Sequence, residues 1–435
     1  MRSTFRHTSI LALAAVSLAV FAGVPVKTRH AQSGPLDISG DINGAPFRIV
    51  VPAQWNGTLI EFARCLVDQA DHPGEIDNRN ATLTPGASDA TRTTVQAALL
   101  NRGYALAASA RKSNGWSVEE GLDDVIALVS YFKENVAHPT NTILWGGSGG
   151  SVIVLETAER NGGAFDGYMT TAAVGAGAPR TWDQALVLLL AYDVTFGMPA
   201  AWGAPGYVRY DIDYETEVAP LVSAQISDPA NFGSFEFIRL VAGFPGSGIA
   251  PPTGVYPRAL LDVFATATEA QAELERRAGG PLTQNITHNY TLTLDEKAYL
   301  TSLGVDATPL LDAMNARRNV SAPPESRNYL EHFAEYSGFI KRPVLTLHNV
   351  VDPLVVIAHE RAYRDTAAAA ERSDLLFQLY TTGVGHAALT LRQLLMGIEA
   401  IDGWTRTGTR PASSTFTADL GFLPDFVPPP WSQPR

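Results

Sequence analysis

Hydrophobic and polar positions change period along the chain, and the changes outline its elements. Over residues 36–51, Ile38, Gly40 and Ile42 and then Phe47, Ile49 and Val51 alternate with other residues around Asn43-Gly44. A period of two interrupted by Asn-Gly predicts a β-hairpin. Residues 58–62 read as the next strand, and the polar, turn-rich stretch 71–86 reads as a loop. A helix is predicted at 91–101 and a strand of small residues at 104–109. Leu122, Val125, Ile126, Val129 and Phe132 then recur at helical spacing. Strand and helix keep alternating through 142–160 and 167–173, which predicts a mainly parallel sheet covered by helices on both faces.

The alternation stops after Ala173. From 180 to 339, Pro, Gly and aromatic residues are scattered among helical pieces such as 182–190 and 260–277. Strand patterns resume at 343–348 and 375–380, and a helix is predicted from near Thr390. The chain therefore reads as an α/β core at 36–179 and 340–412, a large, mostly helical cap inserted at 180–339, and a Pro-rich tail at 413–435. Trp182, Tyr192, Phe196, Trp202, Tyr207 and Tyr210 in the cap either line an acyl or aromatic pocket or form the insertion's own core.

Composition narrows the class. With 435 residues, 46% hydrophobic and 17% charged, the chain is long enough for such a core plus an insertion. A net charge of -12 repels nucleic acid and anionic membrane surfaces, so neither is an expected partner. Arg2 and Arg6 precede an apolar run at 10–24, the pattern of a secretory signal at 1–31 with cleavage after Ala22 or Ala31. The run is shorter than the ~20 residues of a membrane span. A secreted or periplasmic protein follows, with no stable membrane insertion after signal removal. Cys65 is the only cysteine, so no intramolecular disulfide can form.

The densest chemical signal lies at 142–160. An apolar run, a glycine cluster holding one serine and a helical segment follow without a spacer, and Gly146, Ser148 and Gly150 fit the G-x-S-x-G elbow. In that motif the serine hydroxyl is exposed on a strained turn between strand and helix, so Ser148 is the candidate nucleophile. A flexible Gly/Ser linker is the plain alternative, against which the structured flanks argue. A dinucleotide fingerprint fails because Val152 stands where its third glycine belongs, and no P-loop lysine follows.

Two further candidates follow in the order Ser, acid, His. Asp352 lies just past the strand at 344–348, where a carboxylate can orient a histidine. Glu360, Asp365 and Asp374 are less well placed. His386 sits in a Gly-containing loop after the next strand, the setting of a general base; His348 and His359 read as ordinary structural histidines. The developing oxyanion would take backbone N–H donors from Gly149 and from Cys65 or Leu66. Arg64 beside them reads as a solvated arginine or a substrate-carboxylate ligand. No H-E-x-x-H or Cys/His cluster is present, so no metal or organic cofactor is expected.

Several of these stretches recur together in known proteins: Trp55-Asn56-Gly57-Thr58-Leu59, Gly103-Tyr104-Ala105, Asn114-Gly115-Trp116, the elbow with Ser151 in place of its last glycine, Asp352-Pro353, and 403–411. In them the chain resembles α/β-hydrolases of the secreted esterase and prolyl-oligopeptidase-like group. The likeness covers 45–178 and 340–412 and leaves the cap unmatched. One departure is that such enzymes usually carry His-Gly after the oxyanion strand, where this chain has Arg64-Cys65. The resemblance implies an exported serine hydrolase acting on small-molecule or polymeric carboxylic esters. A peptidase or amidase using the same triad, and a non-catalytic binding protein on the same scaffold, are the alternatives.

Overall fold

The computed structural model describes residues 35–72, 75–245 and 258–431, and the expected signal segment lies outside them. Its strands run in chain order as β1 (Leu36–Ile42), β2 (Ala45–Val51), β3 (Thr58–Ala63), β4 (Ala105–Ser109), β5 (Asn141–Gly147), β6 (Gly167–Thr171), the short pair β7 (Gly203–Ala204) and β8 (Tyr207–Val208), β9 (Val344–Val351) and β10 (Leu376–Val384). The first two form the expected hairpin. Asn43 and Gly44 take φ values of 54° and 88°, the positive angles that a tight hairpin turn demands.

Eight strands make one sheet in the order β1-β2-β4-β3-β5-β6-β9-β10. Only β1 and β2 run antiparallel to their neighbours; from β4 to β10 every pairing is parallel. Parallel strands are joined by helices that cover both faces, so such strands carry apolar residues on both sides. Strand β5 shows this: Leu144 packs into the cluster beneath α2 (Val118–Asn135) and α3 (Gly149–Arg160), while Ile143 and Trp145 face the cluster under α1 (Asp89–Leu100) and the C-terminal helix at Leu391–Thr407.

Between β6 and β9 lie α4 (Ala178–Phe196), α5 (Ala219–Ser227), α6 (Phe232–Val241), α7 (Arg258–Ala265), α8 (Gln271–Ala278), α9 (Leu294–Ser302), α10 (Ala307–Asn315) and α11 (Pro324–Ala334). The helix expected at 260–277 is two helices joined by a π-turn at Thr266–Ala270. Helix α4 is longer at both ends than the 182–190 pattern. Trp182, Tyr192 and Trp202 are buried, with Tyr192 stacked on Trp202 at 5.7 Å and against Phe196 at 5.5 Å. Tyr192, Phe196 and Trp202 pack within the segment, Trp182 packs edge-on against Trp116 outside it at 5.4 Å, and Tyr207 and Tyr210 are exposed.

Helix α8 is tied to the first half of the chain: Glu273 accepts the Trp116 N–H at 2.8 Å, and Arg277 donates to Glu120 at 2.9 Å. After β9 come α12 (Ala358–Ala369), β10 and α13 (Leu391–Thr407). The Pro-rich tail packs back on this part: Phe422 bridges to Thr381, and the Trp431 ring lies 4.6 Å from that of His359. The described residues from 35 onward cluster as one compact unit. No helix among them is long and apolar enough to cross a membrane.

Candidate active site

Parallel strands bring their carboxyl ends to one edge of the sheet, where loops can carry reactive groups. Cys65 and Leu66 follow β3, Ser148 follows β5, Asp352 follows β9 and His386 follows β10. Residues scattered over more than three hundred positions thus share one edge.

Ser148 has φ 51° and ψ -128°, a conformation that costs a non-glycine residue energy. Neighbouring strands enforce it. Its N–H donates to the carbonyl of Thr171, the last residue of β6, at 3.0 Å. A Cβ on Gly150 would lie 2.2 Å from the Ala63 carbonyl oxygen and 2.5 Å from that of Arg64, so only glycine lets α3 pass the end of β3. Ser151, which stands where related elbows carry glycine, is fully buried and useful. Its hydroxyl donates to the Ser148 carbonyl at 2.5 Å and accepts the Val174 N–H at 2.9 Å.

Sheet order, parallel crossings and the elbow at the end of the central strand agree with one another. The fold is an α/β-hydrolase.

Asp352 is completely buried, and its partners are all donors. One oxygen accepts the N–H groups of Leu354 at 3.0 Å and Val355 at 2.9 Å; the other accepts the N–H of Ala387 at 3.0 Å. Nδ1 of His386 lies 3.1 and 3.0 Å from the two oxygens, which assigns its proton to Nδ1 and leaves Nε2 free. Burial by itself would push the Asp352 carboxyl up, but His386 and His348 outweigh it and hold the group well below the usual carboxylate range. Asn349 laces the two loops together. Its side chain donates to the Gly385 carbonyl at 2.8 Å and accepts the Ala388 N–H at 2.9 Å.

Asp352 and His386 are therefore joined as expected. Ser148 shares their edge, but no hydrogen bond joins its hydroxyl to His386 among the described residues. Such bonds are often loose before substrate binds and tighten in the complex.

The loop after β3 passes directly over the elbow: a Cβ on Gly149 would meet the Leu66 nitrogen at 3.0 Å. Arg111, buried and with φ 64°, donates to the Cys65 carbonyl at 2.7 Å. Burial and Arg64 push its pKa down to about 10, so it stays charged at neutral pH. Arg64 is neither solvated nor open to substrate, contrary to the sequence expectation. It is buried, and its guanidinium donates to the Asn78 carbonyl at 2.9 Å and the Asn114 side chain at 2.8 Å, pinning the chain around Asn78.

His359 fits the expected structural role: it is buried, and its Nδ1 accepts the Ala176 N–H at 3.0 Å. His348 is fully buried as well, 3.7 Å from Asp352 and 3.1 Å from Glu360. No sequence pattern marks that contact; the spacing of four from His348 to Asp352 is the nearest thing to a signal.

No model of a protein family matches the chain. It is 28% identical over 138 residues to an o-phthalyl amidase of Xanthobacter agilis, a match covering 31% of this chain and 26% of that protein. Among solved structures it is similar to an esterase of Pyrococcus furiosus, with a TM-score of 0.38 and 11% identity over 86% of this chain and 91% of that one. Feruloyl esterase B of Aspergillus oryzae gives 0.38 and 12% over 87% and 81%. Epoxide hydrolase A of Mycobacterium thermoresistibile gives 0.38 and 17% over 85% and 97%. Superpositions this loose add nothing to the topology described above.

Proposed function

We propose that this protein is an exported serine hydrolase that cleaves carboxylic esters through an acyl-enzyme on Ser148. The observation that carries the reading is the buried Asp352 gripping Nδ1 of His386 on the sheet edge where the strained Ser148 turn emerges. In this reading Nε2 of His386 takes the Ser148 proton as the serine oxygen bonds to the ester carbonyl carbon. The proton then passes to the departing alcohol as the ester C–O bond breaks. Water, deprotonated by the same nitrogen, attacks the acyl-enzyme and restores the serine.

Gly149 and Leu66 are the oxyanion donors in this mechanism. The two faces of a trans peptide point in opposite directions. With the Cys65 carbonyl held by Arg111, the Leu66 N–H turns away from Arg111, which favours Leu66 over Cys65 as the second donor. The helices between β6 and β9 act as the cap that selects the substrate. Export rests on the basic and apolar residues at 2–24.

An amidase with the same triad is the second reading, favoured by the local match to o-phthalyl amidase. Ester and amide cleavage share a tetrahedral intermediate, so matched ester and amide substrates assayed side by side decide between them.

Ser148→Ala tests the core of the proposal. Loss of short-chain aryl ester hydrolysis and of fluorophosphonate labelling is expected; wild-type turnover in the variant removes Ser148 from the mechanism. A folded wild type that takes no label points instead to a binding protein.

A further inference from the structure

His348 lies on β9, wholly enclosed, and every polar atom its ring meets is an acceptor. Nδ1 is 3.1 Å from Oε1 of Glu360, and Nε2 is 2.9 Å from the Val355 carbonyl and 3.7 Å from Oδ2 of Asp352. A neutral imidazole has one acceptor nitrogen and would leave one of these contacts repulsive. Opposite a carboxylate at Glu360, both nitrogens must carry hydrogen, which makes the ring an imidazolium.

Glu360 is itself met by donors. Its other oxygen accepts the Thr346 hydroxyl at 2.6 Å and the Gln378 amide at 2.6 Å, so donors surround the carboxylate. The sheet register explains the assembly. Thr346 and His348 are two apart on β9 and face the same way, Gln378 is the β10 partner of Thr346, and Glu360 descends from the first turn of α12. The result is a buried row of alternating charge, Glu360, His348, Asp352, ending at His386.

We propose that His348, held as a cation beside Glu360, is a positioning residue for the catalytic acid: from 3.7 Å its charge steadies the Asp352 carboxylate and shares that carboxylate with His386. This rests on the triad reading given above. Three buried charges cost desolvation that apolar side chains of the same volume avoid, so structural filling is a poor account of them. A cation behind Asp352 acts on the general base in a definite direction. It offsets part of the Asp352 charge that attracts a positive ring at His386. Burial would strip the His348 proton, but its contacts with Asp352 and Glu360 prevail and raise its pKa to about 9. The other titratable groups around it are neutral: His359 on α12, lowered by burial and by His348 to about 3, and Tyr380, its register partner on β10, raised by burial.

The test pairs Glu360→Gln with His348→Gln. Glu360→Gln preserves shape while removing the anion that holds the cation, so the acid limb of kcat/KM should move up by about half a pH unit or more. Plateau kcat should fall roughly tenfold, with KM little changed. His348→Gln should move the same limb in the same direction. A folded Glu360→Gln enzyme whose acid limb stays in place overturns the proposal. Asp352→Asn separates this from failure of the triad itself: if that variant keeps wild-type activity, the triad reading falls, whereas if it is inactive and the limb is unmoved in the other two, only the role of His348 falls. Nitrogen-15 histidine NMR of the wild type at pH 7.5 gives a readout independent of any variant's folding. Protonation of both His348 nitrogens is expected, and a neutral ring overturns the proposal.

Discussion

The guanidinium of Arg111 donates to the carbonyl of Cys65 at 2.7 Å, across 46 residues of sequence, and so sets which way the Cys65–Leu66 peptide faces. If Leu66 supplies an oxyanion donor, its alignment matters most once negative charge has formed, in the transition state. Arg111→Met should therefore lower kcat roughly ten- to hundredfold, somewhat less than removing a donor outright. KM should change little, and Arg111→Lys should recover part of the loss. The measurement is ester kinetics on variants whose melting curves show them folded. An unchanged kcat in folded Arg111→Met would refute the role.

Gly150 gives a second prediction, about the elbow's sterics. Gly150→Ala places a methyl group against two backbone carbonyls that cannot move without dragging β3. A loss of about 3 kcal/mol or more is expected, in the range of severe core overpacking. Gly163→Ala serves as the control, since an added Cβ there meets nothing within 4 Å. Urea unfolding of both variants checks it; equal stability would mean that the strand and helix ends can separate freely.

His359 predicts a pH dependence with a definite sign. Burial, then the charge of His348, push its pKa down to about 3, so it stays neutral in the folded protein while the unfolded chain takes a proton near pH 6.5. Its contribution is fully present above about pH 6.5 and is lost as the pH falls toward 3. His359→Gln should be less stable than wild type at pH 8, by about 1–3 kcal/mol, through the bond to the Ala176 N–H. That advantage should shrink or vanish at pH 4, because only the wild type must resist protonation at this site. Melting temperatures of both proteins at the two pH values measure it, and a constant difference would count against a buried neutral ring.

Much of the site's framework was legible in the sequence where the cause is local. The Asn43-Gly44 turn, the glycines of the elbow and the position of Asp352 after a strand are short-range steric facts, and each appears where the residues put it. What escaped the sequence was a set of contacts between distant elements. Arg64 looked like a surface arginine because nothing nearby showed that the chain around Asn78 would meet it. Ser151 looked like a substitution, because its acceptor and donor lie on the elbow's serine and on a loop beyond β6. His348 looked ordinary because Glu360 meets it only when α12 folds over β9.

The amino-acid order alone determined where the strands, the helices and the serine turn would form. These depend on backbone sterics and on the period at which side chains repeat, which neighbouring residues settle among themselves. Which way the Leu66 peptide would turn and which side chains would enclose His348 were decided only in three dimensions. Those outcomes depend on strand register and helix docking, which place partners from distant parts of the chain within about 3 Å of one another.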